Sequence, residues 1–338
     1  MFPTTLRDLV ARVDARLGTR SEVDGDPAAE LLGVTDRPGE SQAHALCVLD
    51  DLRWLKRLRG TFGAVLTSRE LAPQASALAP NRWLHPTPRL ALAAVLEALL
   101  PPPPPPGVHP SAVLEPGAFI DPSAAVEALV SVHGTARVGA RCHLRVGAVL
   151  GPGVAVGDDT VVGCRSVLSE NVQVGQRCRI DAGAVLGARG FGFVPEGERA
   201  SRWLPHRGGV VLEDDVWVGA NATIAEGTLS PTVLRRGCRV DAQVHVGHNS
   251  EVGEGAFLAG QTGLAGSVTV GPGALLGGKV GVGDHLVLGA GARLAGGSGV
   301  TSDVPPGATF GGYPARPRAQ WLRALAWLTR EASRRRRG

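Results

Sequence analysis

His248 and Asn249 end the segment His245-Val246-Gly247-His248-Asn249, and Asp241 stands seven residues before the histidine. An imidazole with a carboxylate near one nitrogen is a general base at near-neutral pH. Gly266 offers a bare backbone N–H to an oxyanion, and His285 adds a second imidazole further on. These residues read as base, orienter and oxyanion donor. Two other readings of the same residues stay open. His245 and His248 fit a metal site only if a third histidine joins them, some from a neighbouring subunit. A histidine on a turn is also simply a solvated turn residue.

Spacing dictates what positions these groups. Bulky aliphatics recur every six residues from Leu114 to Leu186 without a gap. The period resumes at Leu212, Val218 and Ile224, slips by four residues, and runs again from Leu234 to Val300. The fifth position of each hexad is usually small, and the position after the aliphatic is often Gly or acidic. Each hexad is one short strand plus a turn, and three hexads close a triangular coil of 18 residues. The aliphatic points inward and stacks on its equivalents, while Gly or Asn accepts the turn at φ > 0. The fold class is therefore mainly β, a parallel β-helix. Coils rise by the inter-strand distance of ~4.8 Å. Gly266 then lies directly above His248, His285 lies about 10 Å along the axis on the same side, and Asp241 lies one face away.

Function in repeat proteins often sits where the repeat breaks. Two breaks precede His248. The insertion between Leu186 and Leu212 carries Phe191, Phe193, Trp203 and His206, and the slip covers Glu226–Thr232. Around the helix, residues 1–100 read as a small α/β domain, with Leu6, Leu9, Val10, Val13 and Leu17 at helical spacing and Thr4 or Thr5 as cap. A second helix starts at Pro88 with Thr87 as N-cap, and Ala45–Leu49 and Gly63–Leu66 read as strands. Residues 101–110 form a proline-rich linker, 111–312 the β-helix with its insertion at 187–211, and 313–338 a closing helix with a basic tail.

Composition agrees. With 47 Gly and 25 Pro but one Tyr and seven Phe, the chain suits a regular β structure rich in tight turns. The net charge is +4, yet Arg316 to Gly338 holds eight Arg and one Glu, so the rest is about −3. The basic character belongs to a tail, and a nucleic-acid-binding domain is not indicated. Five cysteines, an odd number with no C-x-x-C pair, read as free thiols of a reducing cytosol. No apolar run approaches ~18 residues, so no membrane span is expected. The N-terminus lacks an apolar signal segment.

The order of these residues resembles the UDP-3-O-(3-hydroxyacyl)glucosamine N-acyltransferases over most of the chain. The likeness is carried by Leu32-Gly33-Val34, His109-Pro110-Ser111-Ala112, Gly190-Phe191-Gly192-Phe193, Trp203-x-Pro205, Val218-Gly219-Ala220-Asn221, Asp241-x-Gln243-Val244, His248-Asn249, Ala265-Gly266-Ser267 and His285. The Gly-Phe insertion with the His-Asn pair separates this family from the related O-acyltransferases. The resemblance implies left-handed coiling, His248 as general base, Asp241 as its partner, the Gly266 amide as oxyanion donor, and His285 assisting. It implies substrate contacts from Val48, Trp54, Phe191, Phe193, Gln243 and Asn249. The implied donor is a 3-hydroxyacyl thioester on acyl carrier protein, the acceptor the 2-amino group of a UDP-linked 3-O-acylglucosamine, with no metal or cofactor, in the cytoplasm. Trp54 takes the place of the family's stacking Tyr and Val48 that of its Phe. Ala225-Glu226 replaces the usual Asp-Arg, and Ala242 an Asn.

Three further expectations follow. A triangular solenoid leaves flat faces and a one-walled cleft, which a homotrimer would bury and complete. The helical face Trp321, Leu322, Leu325 and Leu328 would cover one end. Arg330, Arg334, Arg335, Arg336 and Arg337 would dock the acidic acyl carrier protein. Rival functions are acylation of another nucleotide-linked amino sugar, marked by an acyl-CoA donor, and a non-catalytic scaffold, which needs none of Asp241, His248, Gly266 and His285.

Overall fold

The computed structural model describes residues 3–35, 42–55, 58, 60–197 and 200–335. The chain divides into two compact units, Met1–Pro102 and Pro103–Gly338. The first holds helices α1 (Leu6–Leu17), α2 (Leu52–Leu55), α3 (Ala72–Ala75) and α4 (Pro88–Ala98) with a five-stranded sheet. Thr5 Oγ1 accepts the Asp8 N–H at 3.2 Å and Gly18 at φ 63 ends α1, so both ends are closed. Leu6, Leu9, Val10 and Val13 of α1 pack with Ala91, Ala94 and Val95 of α4 over Leu46, Leu66 and Trp83 of the sheet. Pro88 begins α4 as its fixed φ favours, but the Thr87 side chain does not cap it. Its amide donates instead to His85 Nδ1 at 2.9 Å.

The second unit is a parallel β-helix. Strands mostly two residues long stack in register into three sheets, one per face, as in Ser131↔Val149, Val161↔Arg179 and Arg137↔Ala155. From Val126 to Val300 every hexad aliphatic is buried, and only Leu114 and Ile120 of the first coils are part-exposed. The small fifth positions form a second inward stack. Where they are polar, a carbonyl of the next coil accepts the hydroxyl, as for Thr160 Oγ1 to Gly175 O and Ser166 Oγ to Asp181 O, both 2.9 Å. Cys142, Cys178 and Cys238 occupy this same position. Burial pushes Cys178 up to about 11 and Cys238 up to about 12, so these sulfurs stay protonated and serve as small apolar fillers. None of the five cysteines forms a disulfide.

Most corners place one residue in the left-handed region. Gly or Asn was the expected occupant, yet among the described residues eleven that are neither adopt it, Arg141, Lys279 and His285 included. The closing coil imposes the conformation; glycine is not required for it. The coils stay stacked across both breaks, with one register shift between Leu186 and Ala188, where the insertion leaves the strand paired with Thr223–Ala225. Val172–Val174 pairs with Val210–Leu212 across the insertion, which projects as a hairpin of Phe193–Glu196 on Ala200–Trp203. The slip leaves the coil as a loop near Gly227–Pro231. The chain ends in α5 (Arg318–Arg335), seated by Trp321 on Gly311 and Gly312, with Leu325, Trp327 and Leu328 exposed. Among the described residues no helix is long and apolar enough to cross a membrane.

Candidate active site

His248 occupies a corner just after the strand His245–Val246. Its Nδ1 lies 3.0 Å from Asn249 Oδ1. That oxygen also receives the Thr228 amide at 3.2 Å and the Thr228 hydroxyl at 2.7 Å, and a backbone N–H can only donate. The Asn249 amide group is thereby oriented with its oxygen toward His248. An oxygen that only accepts assigns the proton to His248 Nδ1 and the free lone pair to Nε2. Asn249 is held in turn by its own N–H to Thr232 Oγ1 at 2.9 Å. The slip thus has a structural task, because it carries Thr228 back over the corner.

Gly266 sits on the adjoining coil, in register through the pair His245↔Gly263. A Cβ there would lie 2.6 Å from His248 Cε1 and 2.7 Å from Nε2, so only glycine lets the ring pack on this backbone. Its amide belongs to the corner N–H groups that no side chain caps. At some matching corners an acidic side chain accepts the turn N–H, as Asp158 takes that of Ala140 at 2.9 Å and Asp214 that of Gln176 at 3.0 Å, while at others, such as Ala220 and Gly278, it is left open as at Gly266. The Gly266 N–H meets no acceptor among the described residues. A base nitrogen and an uncapped N–H side by side are what an acyl-transfer transition state requires. The Gly266 carbonyl accepts the His285 N–H at 3.0 Å. The resulting pocket has a volume of about 370 Å³, with Arg189 and Phe191 from the insertion, His245, His248 and Gly266, and then Asp284 and His285 of the next coil. Burial, and then His248, push His245 below the usual imidazole range, which favours its neutral form.

Asp241 does not orient His248 within the chain. Its Oδ1 accepts the Ala242 N–H at 2.7 Å and its Oδ2 the Gly260 N–H at 2.9 Å. It lines a different groove of about 550 Å³ with Trp217, Arg239 and Phe257. The seven-residue spacing places it one face away as expected, but successive corners of a triangle point apart. Asn249 performs the orienting contact and spends its Oδ1 there. Gln243 belongs to the Asp241 corner, where its Oε1 accepts from Gln261 Nε2 at 2.8 Å. Phe193 lies behind Phe191, ring centroids 5.2 Å apart, and Phe191 is 86% exposed.

In the first unit, Val48 and Trp54 line one cavity of about 640 Å³ with Asp50, Arg89, Leu92 and Leu96. Asp50 and Arg89 form an ion pair there. Arg330, Arg334 and Arg335 lie in the last turns of α5, and Arg336 and Arg337 lie outside the described residues.

Residues 153–188 and 209–248 match the hexapeptide repeat of succinyl-transferase. UDP-3-O-acylglucosamine N-acyltransferase 1 of Gloeobacter violaceus is 44% identical over 320 residues, 91% of this chain and 88% of that protein. The chain belongs to the UDP-3-O-acylglucosamine N-acyltransferase family. It is an acyltransferase. The family member of Caulobacter vibrioides is 52% identical over 143 residues, 42% of each chain, a likeness confined to part of the molecule. Several residues of this acyltransferase site received no role from the sequence. Thr228 lies in the slip, Arg189 and His206 in the insertion, and Asp284 on the next coil. The breaks marked both segments, but only the folded loops show what they touch.

Proposed function

We propose that this chain transfers a 3-hydroxyacyl group from an acyl carrier protein thioester to the 2-amino group of a UDP-3-O-acylglucosamine, with His248 as general base. The observation that carries the reading is the Asn249 contact, which accepts the Nδ1 N–H and turns the lone pair of the neutral His248 ring to Nε2, beside the Gly266 backbone. The acceptor amine attacks the thioester carbonyl as Nε2 takes its proton. The Gly266 N–H receives the charge that develops on the carbonyl oxygen. Collapse expels the thiolate, which the imidazolium protonates. His285 assists along the cleft, and Phe191 and Phe193 offer apolar surface to substrate. A homotrimer supplies the second wall of the pocket. Asp241, beside exposed Trp217 and Phe257, is the corner open to that role. The donor places the reaction in the cytoplasm. Equal turnover with acyl-CoA and with the carrier-bound thioester would favour the rival acyl transfer to another nucleotide-linked amino sugar.

The cavity of the first unit binds the acceptor's base, with Trp54 stacking on one face and aliphatic Val48 on the other. Stacking on an aromatic is worth roughly 1–3 kcal/mol, so Trp54→Ala should weaken acceptor binding about ten-fold or more and leave donor binding alone. Val48→Phe should tighten UDP-sugar binding. Titration of both variants with the UDP-sugar checks this, and no change in either removes the unit from base recognition.

The terminal arginines dock the acidic donor protein. Deleting Ser333–Gly338 should remove most of the rise in donor KM between low and physiological salt and leave kcat at saturating donor unchanged. Identical salt slopes in both proteins would assign the tail no part in docking.

A further inference from the structure

The insertion places His206 against the candidate base, ring centroids 4.8 Å apart and planes at 60°, an edge-to-face contact. His206 is 5% exposed. Its Nδ1 lies 2.9 Å from the Leu204 carbonyl, which only accepts, so Nδ1 carries the proton. Its buried Nε2 has no hydrogen-bond partner among the described residues. Burying an imidazole nitrogen unpaired is unfavourable, so the ring does more at this site than make the Leu204 hydrogen bond. Two glycines make room for it. A Cβ on Gly190 would lie 2.6 Å from Cδ2 and Nε2, and one on Gly192 2.5 Å from Cε1. The Gly-Phe-Gly-Phe segment is therefore built around the ring, with its phenylalanines outward and its glycines against His206. His248 is in turn confined by Gly266, by Asn249 at Nδ1, and by the His206 ring.

We infer that His206 is a positioning residue: its ring packs against His248 and fixes the imidazole in the orientation that aims Nε2 at the attacking amine. The contact is one of shape, and no proton passes through His206. The inference rests on His248 being the base, so His248→Ala is measured alongside.

His206→Asn keeps a donor for the Leu204 carbonyl and removes the ring, whereas His206→Phe keeps a ring and removes the donor. A misplaced catalytic group costs on the order of 100-fold, so His206→Asn should lose roughly 30- to 100-fold in kcat with both KM values little changed. His206→Phe should stay within about three-fold of the parent. Gly192→Ala, which crowds the ring without touching His206 itself, should mirror the Asn variant and guards against a failure of that variant to fold. Full kcat in both His206→Asn and Gly192→Ala overturns the inference. So does an active Asn variant beside an inactive Phe variant, which would make the Leu204 hydrogen bond the important contact, or loss of kcat in both, which would make the nitrogens important. If His248→Ala itself retains activity, the base assignment fails instead; if it is inactive while the His206 variants are normal, only the present inference fails.

Discussion

His248→Ala should lower kcat by roughly 10³- to 10⁴-fold, the span a positioned general base contributes. Both KM values should change little, because the imidazole acts on the proton released during attack and adds little to ground-state binding. The fold should not suffer. The neighbouring Val246 is in the buried aliphatic column, whereas His248 is at a corner where, among the described residues, only Asn249 is hydrogen-bonded to its ring. Sedimentation and thermal melting should therefore match the parent protein, with the proposed trimer kept. Asp241→Ala should cost less, because within the chain its carboxylate only caps two amides. Steady-state rates at saturating donor and acceptor decide the matter. A His248→Ala enzyme of near-normal rate would remove the base.

Gly266→Ala should be nearly as damaging, for a steric reason. The new methyl would stand 2.6 Å from His248 Cε1 and 2.7 Å from Nε2, well inside van der Waals contact. The backbone itself can take alanine, since Gly266 does not have a positive φ. The ring must yield, yet Asn249 holds its Nδ1 and His206 packs against it. Overpacking of this kind costs about 1–3 kcal/mol of stability, a modest fall in Tm. Displacing the base while crowding the oxyanion N–H should cost at least about 100-fold in kcat. Kinetics beside a melting curve check this. An unfolded variant would indicate a structural glycine, and an active one would show that His248 does not need this backbone.

The difference between Asp241 and Asn249 shows how far the sequence reaches. A six-residue period fixes which residues point inward and which coil each belongs to, because one hexad repeats the same local geometry. Gly266 beside His248 and His285 further on are legible from 18-residue arithmetic alone, and the strand register agrees. The same arithmetic gives Asp241 the right distance and hides its direction, since corners of a triangular coil diverge. Thr228 and His206 were illegible for another reason. Both reach His248 from segments that leave the repeat, where contacts depend on how a loop folds back. Local spacing carries no information about that. The cavity around Trp54 lies between, because Trp54 and Val48 come from α2 and a strand whose pairing the sequence suggests but does not fix.

The central claim is the reaction, and mass spectrometry of its product tests it most directly. Purified enzyme would be supplied with a 3-hydroxyacyl thioester on acyl carrier protein and with UDP-3-O-acylglucosamine bearing a free 2-amino group. The account predicts a product heavier than the acceptor by one 3-hydroxy fatty acid less water. After mild alkali removes the 3-O-ester, the added chain should remain on the C2 nitrogen, because an amide survives conditions that cleave an ester. An unchanged acceptor, or an added chain lost with the ester, would contradict it.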